Sequence, residues 1–314
     1  MKICVHSKSG LILSLKRHFE LEGDTLVSMD KADLIVTDES VGERRVPIVG
    51  GDINLPLEVT QAMGFSFEGD MESSYFFTCW FDWNNGWGEQ VFVGIPLKTM
   101  LSHNMGYPAE SGVVGRYVPK EKVTELFSNQ NLEVYLRESR YTGPISILLN
   151  SRHSVISVES WVPSTGLFNI LEGLKDKISL YLSQPESVRM YESWTASILV
   201  TRCPFPYKTR SGKVNVEGIT RKAEKHVWLY KVDTFGTIFS TVETVVGVVS
   251  TWGQSLNEAA RRARGGVLRI VVPLKQARLD LEHATLDRWD TIKSRWLHTP
   301  SSHDHQLIPE SSEK

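Results

Sequence analysis

The sequence predicts an α/β plus β fold, and three observations carry that reading. Apolar strand, amphipathic helix and apolar strand alternate at the N-terminus, the opening of a parallel α/β unit. An aromatic run then meets Asn85-Gly86, the strongest short hairpin signal, so the pattern turns antiparallel. The last third carries several short β-branched runs in succession, the mark of a β-rich lobe. Together they divide the chain into a reduced Rossmann-like unit over 1–55, a central antiparallel core over 56–195, a C-terminal lobe over 196–300 and a disordered tail over 301–314.

In chain order, Lys2-Ile3-Cys4-Val5-His6 reads as the first strand, and Leu11, Leu15, His18, Phe19 and Glu22 follow helical spacing. Asp33–Asp38 and Val46–Gly51 read as further strands. The turn after the first strand holds the single Gly10, which makes it a structural βα turn rather than a dinucleotide fingerprint. Ser73–Phe81 and Gln90–Ile95 are the arms of the hairpin. A Gly-rich turn spans Gly112–Gly115, and a helix runs from Lys120 to Phe127 or restarts toward Glu138. Ile145–Leu149 and Val155–Glu159 are strands, and one amphipathic helix covers Leu167–Leu182. Thr195–Thr201, His226–Val232, Thr237–Thr241 and Val245–Thr251 are strands, and Ser255 with Glu258 forms a capping box for a helix over Asn257–Arg264.

Composition narrows the function. At 314 residues, 41% hydrophobic and 23% charged, the chain is an ordinary globular protein long enough for two or three cores. A net charge of −2 gives no sign of nonspecific nucleic-acid binding, which needs a basic surface, although local basic patches such as Arg261-Arg262-Ala263-Arg264 exist. The sequence holds no apolar run of the roughly 20 residues a membrane helix needs, and no signal peptide. Three scattered cysteines, Cys4, Cys79 and Cys203, fit a reducing compartment, so a cytoplasmic location is expected.

Several segments, taken in order, resemble one family. Gly112-Val113-Val114-Gly115-Arg116-Tyr117-Val118-Pro119, Tyr141-Thr142-Gly143 before an apolar strand, Val155–Glu159, Ser197–Tyr207, Thr241–Gly253 and Arg278-Leu279-Asp280 are similar to successive segments of phosphoribosylamine–glycine ligase. That family belongs to the ATP-grasp enzymes of purine synthesis. The resemblance implies an ATP-grasp-like central core, ATP and magnesium as cofactors, and ATP-dependent carbon–nitrogen ligation. It implies that Lys98, Gly112 and Gly115 face the nucleotide, that His103 acts as an acid–base group or phosphate donor, that Arg116 anchors an anionic substrate, and that Glu159 with Glu110 holds the metal. Each has a plainer reading beside it: a solvated Lys98, a structural His103, a surface ion pair at Arg116, a solvent-facing Glu159.

The departures from the family's pattern open a second reading. Between Gly51 and Gly64 there is too little chain for the family's lysine-bearing lid lobe. Ser102-His103-Asn104-Met105 lacks two charges of the family's Asp-His-Lys-Arg, Trp161 stands where a metal-binding Asn is expected, and Val242-Glu243-Thr244-Val245 replaces an Asn-Gly-Gly-Arg. Hard cations need clustered oxygen ligands, and tryptophan supplies none. The alternative is therefore a non-catalytic homologue that binds a nucleotide-like small molecule or a partner protein, or serves as a scaffold.

Overall fold

The computed structural model describes residues 1–7, 13–37, 48–49, 74–98, 110–160, 162, 165–203, 205, 212–235 and 238–297. The N-terminal unit is a small parallel sheet with one helix. Strands β1 (Lys2–His6), β2 (Thr25–Leu26), β3 (Leu34–Thr37) and β4 (Ile48–Val49) lie in the order β2-β1-β3-β4, and helix α1 (Leu15–Leu21) follows β1. The fully buried runs of β1 and β3 are what a parallel sheet covered on its faces requires.

A nine-stranded sheet forms the body. β5 (Tyr75–Asp82) and β6 (Gly86–Lys98) are the predicted hairpin. Its turn is held by Asp82 Oδ1, which accepts from the amides of Asn84 and Asn85 at 3.0 Å each, while Gly86 takes φ +84°. β7 (Glu110–Pro119) pairs with β6, so the expected Gly-rich turn at 112–115 is instead the middle of a strand. β8 (Thr142–Leu149) and β9 (Val155–Glu159) extend one side of the sheet. β10 (Trp194–Arg202), β15 (Val245–Gly253) and β12 (Val227–Leu229) extend the other. The short β16 (Lys275–Gln276) adds to β10, and β11 (Val214–Val216), β13 (Asp233–Phe235) and β14 (Ile238–Thr241) make a separate three-stranded sheet. The boundary expected at 195/196 falls inside β10, and hydrogen bonding runs across it without a break.

Alternate residues of the sheet feed two cores. Phe76, Trp80, Phe92, Val113 and Tyr117 face helix α4 (Gly166–Glu172) and share one apolar cluster with Ile3, Phe19 and Leu34 of the N-terminal unit. On the other face, Phe77, Phe81, Val93 and Ile147 pack on α3 (Gln130–Glu138), which follows the short α2 (Thr124–Phe127). Beside them, Ala259, Ala260 and Ala263 bring helix α7 (Leu256–Arg269) against Ala196 and Ile198. The expected single helix over 167–182 is two, α4 and α5 (Ile178–Ser183), separated at Gly173, whose Cα side abuts the Tyr117 ring. Ser255 caps α7 as predicted, accepting from the Glu258 amide at 3.2 Å. Sequence reasoning missed the final helix, α8 (Leu281–Trp296), after the one-turn α6 (Arg221–Glu224) and α7. Its Ile292 is fully buried and Trp296 Nε1 donates to the Tyr75 hydroxyl at 3.0 Å. None of the helices among the described residues is long and apolar enough to cross a membrane.

The N-terminal unit docks through α1. Arg17 Nε meets Glu224 at 2.6 Å, the buried His18 ring stacks on Trp228 with centroids 3.4 Å apart, and the Ile178 amide donates to Glu22 Oε2 at 2.9 Å. Burial pushes the His18 pKa down to about 4 and the Glu22 pKa up to about 7. The two act in opposite senses. From pH 6.5 down to 4 the unfolded chain protonates His18 while the folded chain does not, so stability falls with acid, by on the order of 3 kcal/mol in full. From pH 4.5 up to 7 the unfolded chain ionises Glu22 while the folded chain resists, so stability falls with alkali. We therefore expect urea titrations of the wild type to show a flat stability over the shared window. His18→Phe should leave a slope falling with pH and Glu22→Gln one rising with pH; parallel profiles for both variants would contradict this assignment.

Candidate functional site

β7 is the natural seat of a site because it lies in the middle of the sheet and ends beside the connection that leads into β10. Near that end Arg116 stands opposite Val93 on one neighbour and Trp194 on the other. Its guanidinium lies 5.5 Å from the Trp194 ring centre, and its Nε is buried with no partner among the described residues. Desolvation lowers its pKa and Glu192 opposes that shift. An unsatisfied buried guanidinium N–H is costly, and an anion in reach would relieve the cost.

Arg116 borders a cleft of about 560 Å³ at the ends of β6 and β7. Trp80, Tyr117 and Tyr181 are its buried aromatic lining, with the Trp80 and Tyr181 rings 4.9 Å apart. Tyr117 donates to the Ile170 carbonyl at 3.1 Å, and burial raises both phenol pKa values, so both hydroxyls stay protonated. Lys175 and Arg189 supply further positive charge. Lys175 Nζ lies 5.4 Å from the Tyr191 ring centre, and Arg189 grips Asp176 at 2.8 Å, which holds that carboxyl down to about 2. Glu89 and Glu192 are exposed. The arrangement suits a small anion with a flat or apolar body, hydrogen-bonded at one end and stacked at the other.

The other sequence candidates do not converge on this cleft. Gly112 and Gly115 pack rather than cradle: a Cβ at Gly112 would run into the Ser197 carbonyl oxygen, and one at Gly115 into the Val93 carbonyl and the Phe92 ring. Lys98 and Glu110 pair backbone to backbone across a bulge, six residues up β7 from Arg116, and their side chains lie outside the described residues. His103 and Trp161 also lie outside them. Glu159 ends the edge strand β9, where the Ser157 hydroxyl donates to its Oε1 at 2.7 Å. Four strand spacings, roughly 19 Å, separate β9 from β7, and Glu159 lies in the register row of Tyr117, about 23 Å along the strand from Glu110. Backbones so placed cannot share one ion between the carboxylates of Glu159 and Glu110. Among the described residues no three His, Cys, Asp or Glu side chains come together as a metal site; a magnesium bound together with substrate phosphates needs only one or two carboxylates. The cleft's Lys175, Tyr181 and Arg189 were missed because each is remote in sequence from Arg116 and stands in no motif.

The glycines give a direct test of packing against binding. Gly112→Ala should destabilise the chain by about 1–3 kcal/mol in urea unfolding, while Gly265→Ala, which meets nothing within 4 Å in α7, should be neutral or stabilise by up to about 1 kcal/mol. An unchanged unfolding midpoint for Gly112→Ala would remove the steric reading.

No family model matches the sequence, and no curated protein matches it. Solved structures do match in fold. Phosphoribosylamine–glycine ligase from Thermotoga maritima superposes with a TM-score of 0.60 at 11% identity, covering 89% of this chain and 100% of that one. Biotin carboxylase from Campylobacter jejuni gives 0.51 at 8% identity over 94% and 97%. Pyruvate carboxylase from Rhizobium etli gives 0.53 at 11% identity, and there the match covers 95% of this chain but 40% of the carboxylase. At these identities the likeness is one of fold.

Proposed function

We propose that this chain, ATP-grasp-like in fold, binds an anionic, nucleotide-like small molecule in the Arg116 cleft and belongs with the ATP-dependent carbon–nitrogen ligases. The observation that carries the binding half is the buried, unpartnered Arg116 Nε at the wall of an aromatic cleft with Lys175 and Arg189 beside it. The ligase half rests on the likeness of nearly the whole chain to phosphoribosylamine–glycine ligase and on the ordered motif resemblance in the sequence. In this reading Arg116 anchors the anion, Lys175 and Arg189 complete its charge, and Trp80 and Tyr181 receive its flat portion. ATP, with magnesium, would supply the phosphoryl group that activates a carboxylate for capture by an amine. Purine nucleotide synthesis is the pathway that the resemblance implies.

A second reading, a non-catalytic relative that binds its ligand without ligation, is favoured by one specific observation. Glu159, the family-like metal ligand, stands at the sheet edge far from Arg116 and hydrogen-bonded to Ser157.

Calorimetry with Mg·ATP, followed by an assay for ADP release with glycine and a phosphoribosylamine source, separates the two. The ligase reading expects binding and ADP release. Binding without release supports the second reading, and no binding at millimolar ATP sinks the first. Arg116→Ala should weaken anion binding about tenfold or more, whereas Glu159→Ala should change it less than about twofold. Equal losses in the two variants would show that the anion lies elsewhere.

A further inference from the structure

Tyr191 lines a second concavity, a groove of about 290 Å³ between α1 and the body of the protein. At its base Glu172, the last residue of α4, is buried and meets His226 Nδ1 at 2.7 Å. Burial raises the Glu172 pKa and His226 opposes that shift. The imidazole is about a third exposed, with 31% of its side chain accessible, whereas the carboxylate beneath it is almost wholly covered. A ring whose Nδ1–H is committed to a carboxylate keeps, when neutral, a lone pair on Nε2. Glu22 lines the same groove from α1's end; one of its oxygens accepts from the Ile178 amide, and burial favours its neutral form.

His18, which also lines the groove, adds a third acceptor: its Nδ1 faces the Ser14 carbonyl and its buried Nε2 has no partner among the described residues. Asp176 is gripped by Arg189, His18 is stacked on Trp228, and the stacked Tyr191–Trp252 pair has Lys175 beside one ring and Arg262 beside the other. Lys225 is exposed at the groove's rim, and its positive charge acts on Glu172. A ligand that satisfies these acceptors presents N–H donors, and a cation does so while drawing Glu22 from the neutral form that burial favours to the carboxylate that pairs with it. The volume holds about ten non-hydrogen atoms at ~30 Å³ each.

We propose that this groove is a binding site for a small organic ammonium ion, held through its N–H groups by His226 Nε2 and the Glu22 carboxylate, with Glu172 fixing the imidazole. The site is separate from the Arg116 cleft and does not rest on the ligase reading.

The test uses the full chain labelled with 15N-histidine, without ATP or magnesium. Benzylammonium chloride is titrated in, with benzyl alcohol and benzyltrimethylammonium chloride as controls at matched ionic strength. The expected result is a saturable shift of the His226 ring nitrogens with benzylammonium and none with the alcohol or the quaternary ion, which lacks N–H. His226→Gln assigns those resonances, and the comparison of ligands on the wild type stands without any variant. Glu22→Gln should weaken binding about tenfold or more. Arg116→Ala should leave this titration unchanged, so failure of the Arg116 cleft and failure of this groove are read separately. Equal shifts with all three compounds, no saturation, or undiminished affinity in Glu22→Gln would overturn the proposal and leave the Glu172–His226 pair as a structural lock.

Discussion

The close seating of β7 between β6 and β10 is the constraint on which the rest of the protein depends. It requires glycine at 112 and 115, where the neighbouring carbonyls of Ser197 and Val93 leave no room for a Cβ. With that strand in place, residues from both halves of the chain enter one sheet, and the two faces of that sheet organise every large core. Ser197 completes the seam by presenting its hydroxyl to the backbone of Val113. Arg116 inherits its position from the same seam. A guanidinium on a central strand is half-buried by default, and its unpartnered Nε–H is the electrostatic price of placing charge there.

How much could be read in advance depended on whether a feature was local. The hairpin at Asn85-Gly86, the α7 cap at Ser255 and the opening parallel strands are written in contiguous residues, and each stands close to where the sequence placed it. The order of motif-like segments pointed to phosphoribosylamine–glycine ligase, and a solved structure of such a ligase matches the chain in fold. What failed was anything set by partners far away. Gly112 and Gly115 resemble a phosphate-handling turn when read alone, but their reason is the backbone of two adjacent strands. The helix expected over 167–182 breaks where Gly173, Leu174 and Lys175 pair instead with Tyr191, Met190 and Arg189, a long-range contact without a sequence signature. α8 was overlooked because most of its surface is polar and only a few residues, Leu281 and Ile292 among them, are anchored.

The candidate site shows the same division. Arg116 was singled out from its neighbourhood in the sequence, while the cleft around it is assembled from strand ends and the segment before β10. The groove at His226 gave no warning at all: its Glu172 partner is 54 residues away, and the two meet only when β12 joins the sheet beside α4. Spacing rules find pairs that share a helix face or a turn. They are blind to pairs created by strand order, which here is where the perturbed ionisable groups gather.

The late position of α8 has a consequence for how the chain is made. The apolar face formed by Phe77, Phe81 and Val93 is complete once the hairpin closes, but part of its cover, Ile292 and Trp289, belongs to α8. During vectorial synthesis that face must wait until residues 281–296 have left the ribosome. The sheet also interleaves early and late strands, so its contacts are long-range and slow to close. Such a nascent chain exposes apolar β-surface until its late partners arrive.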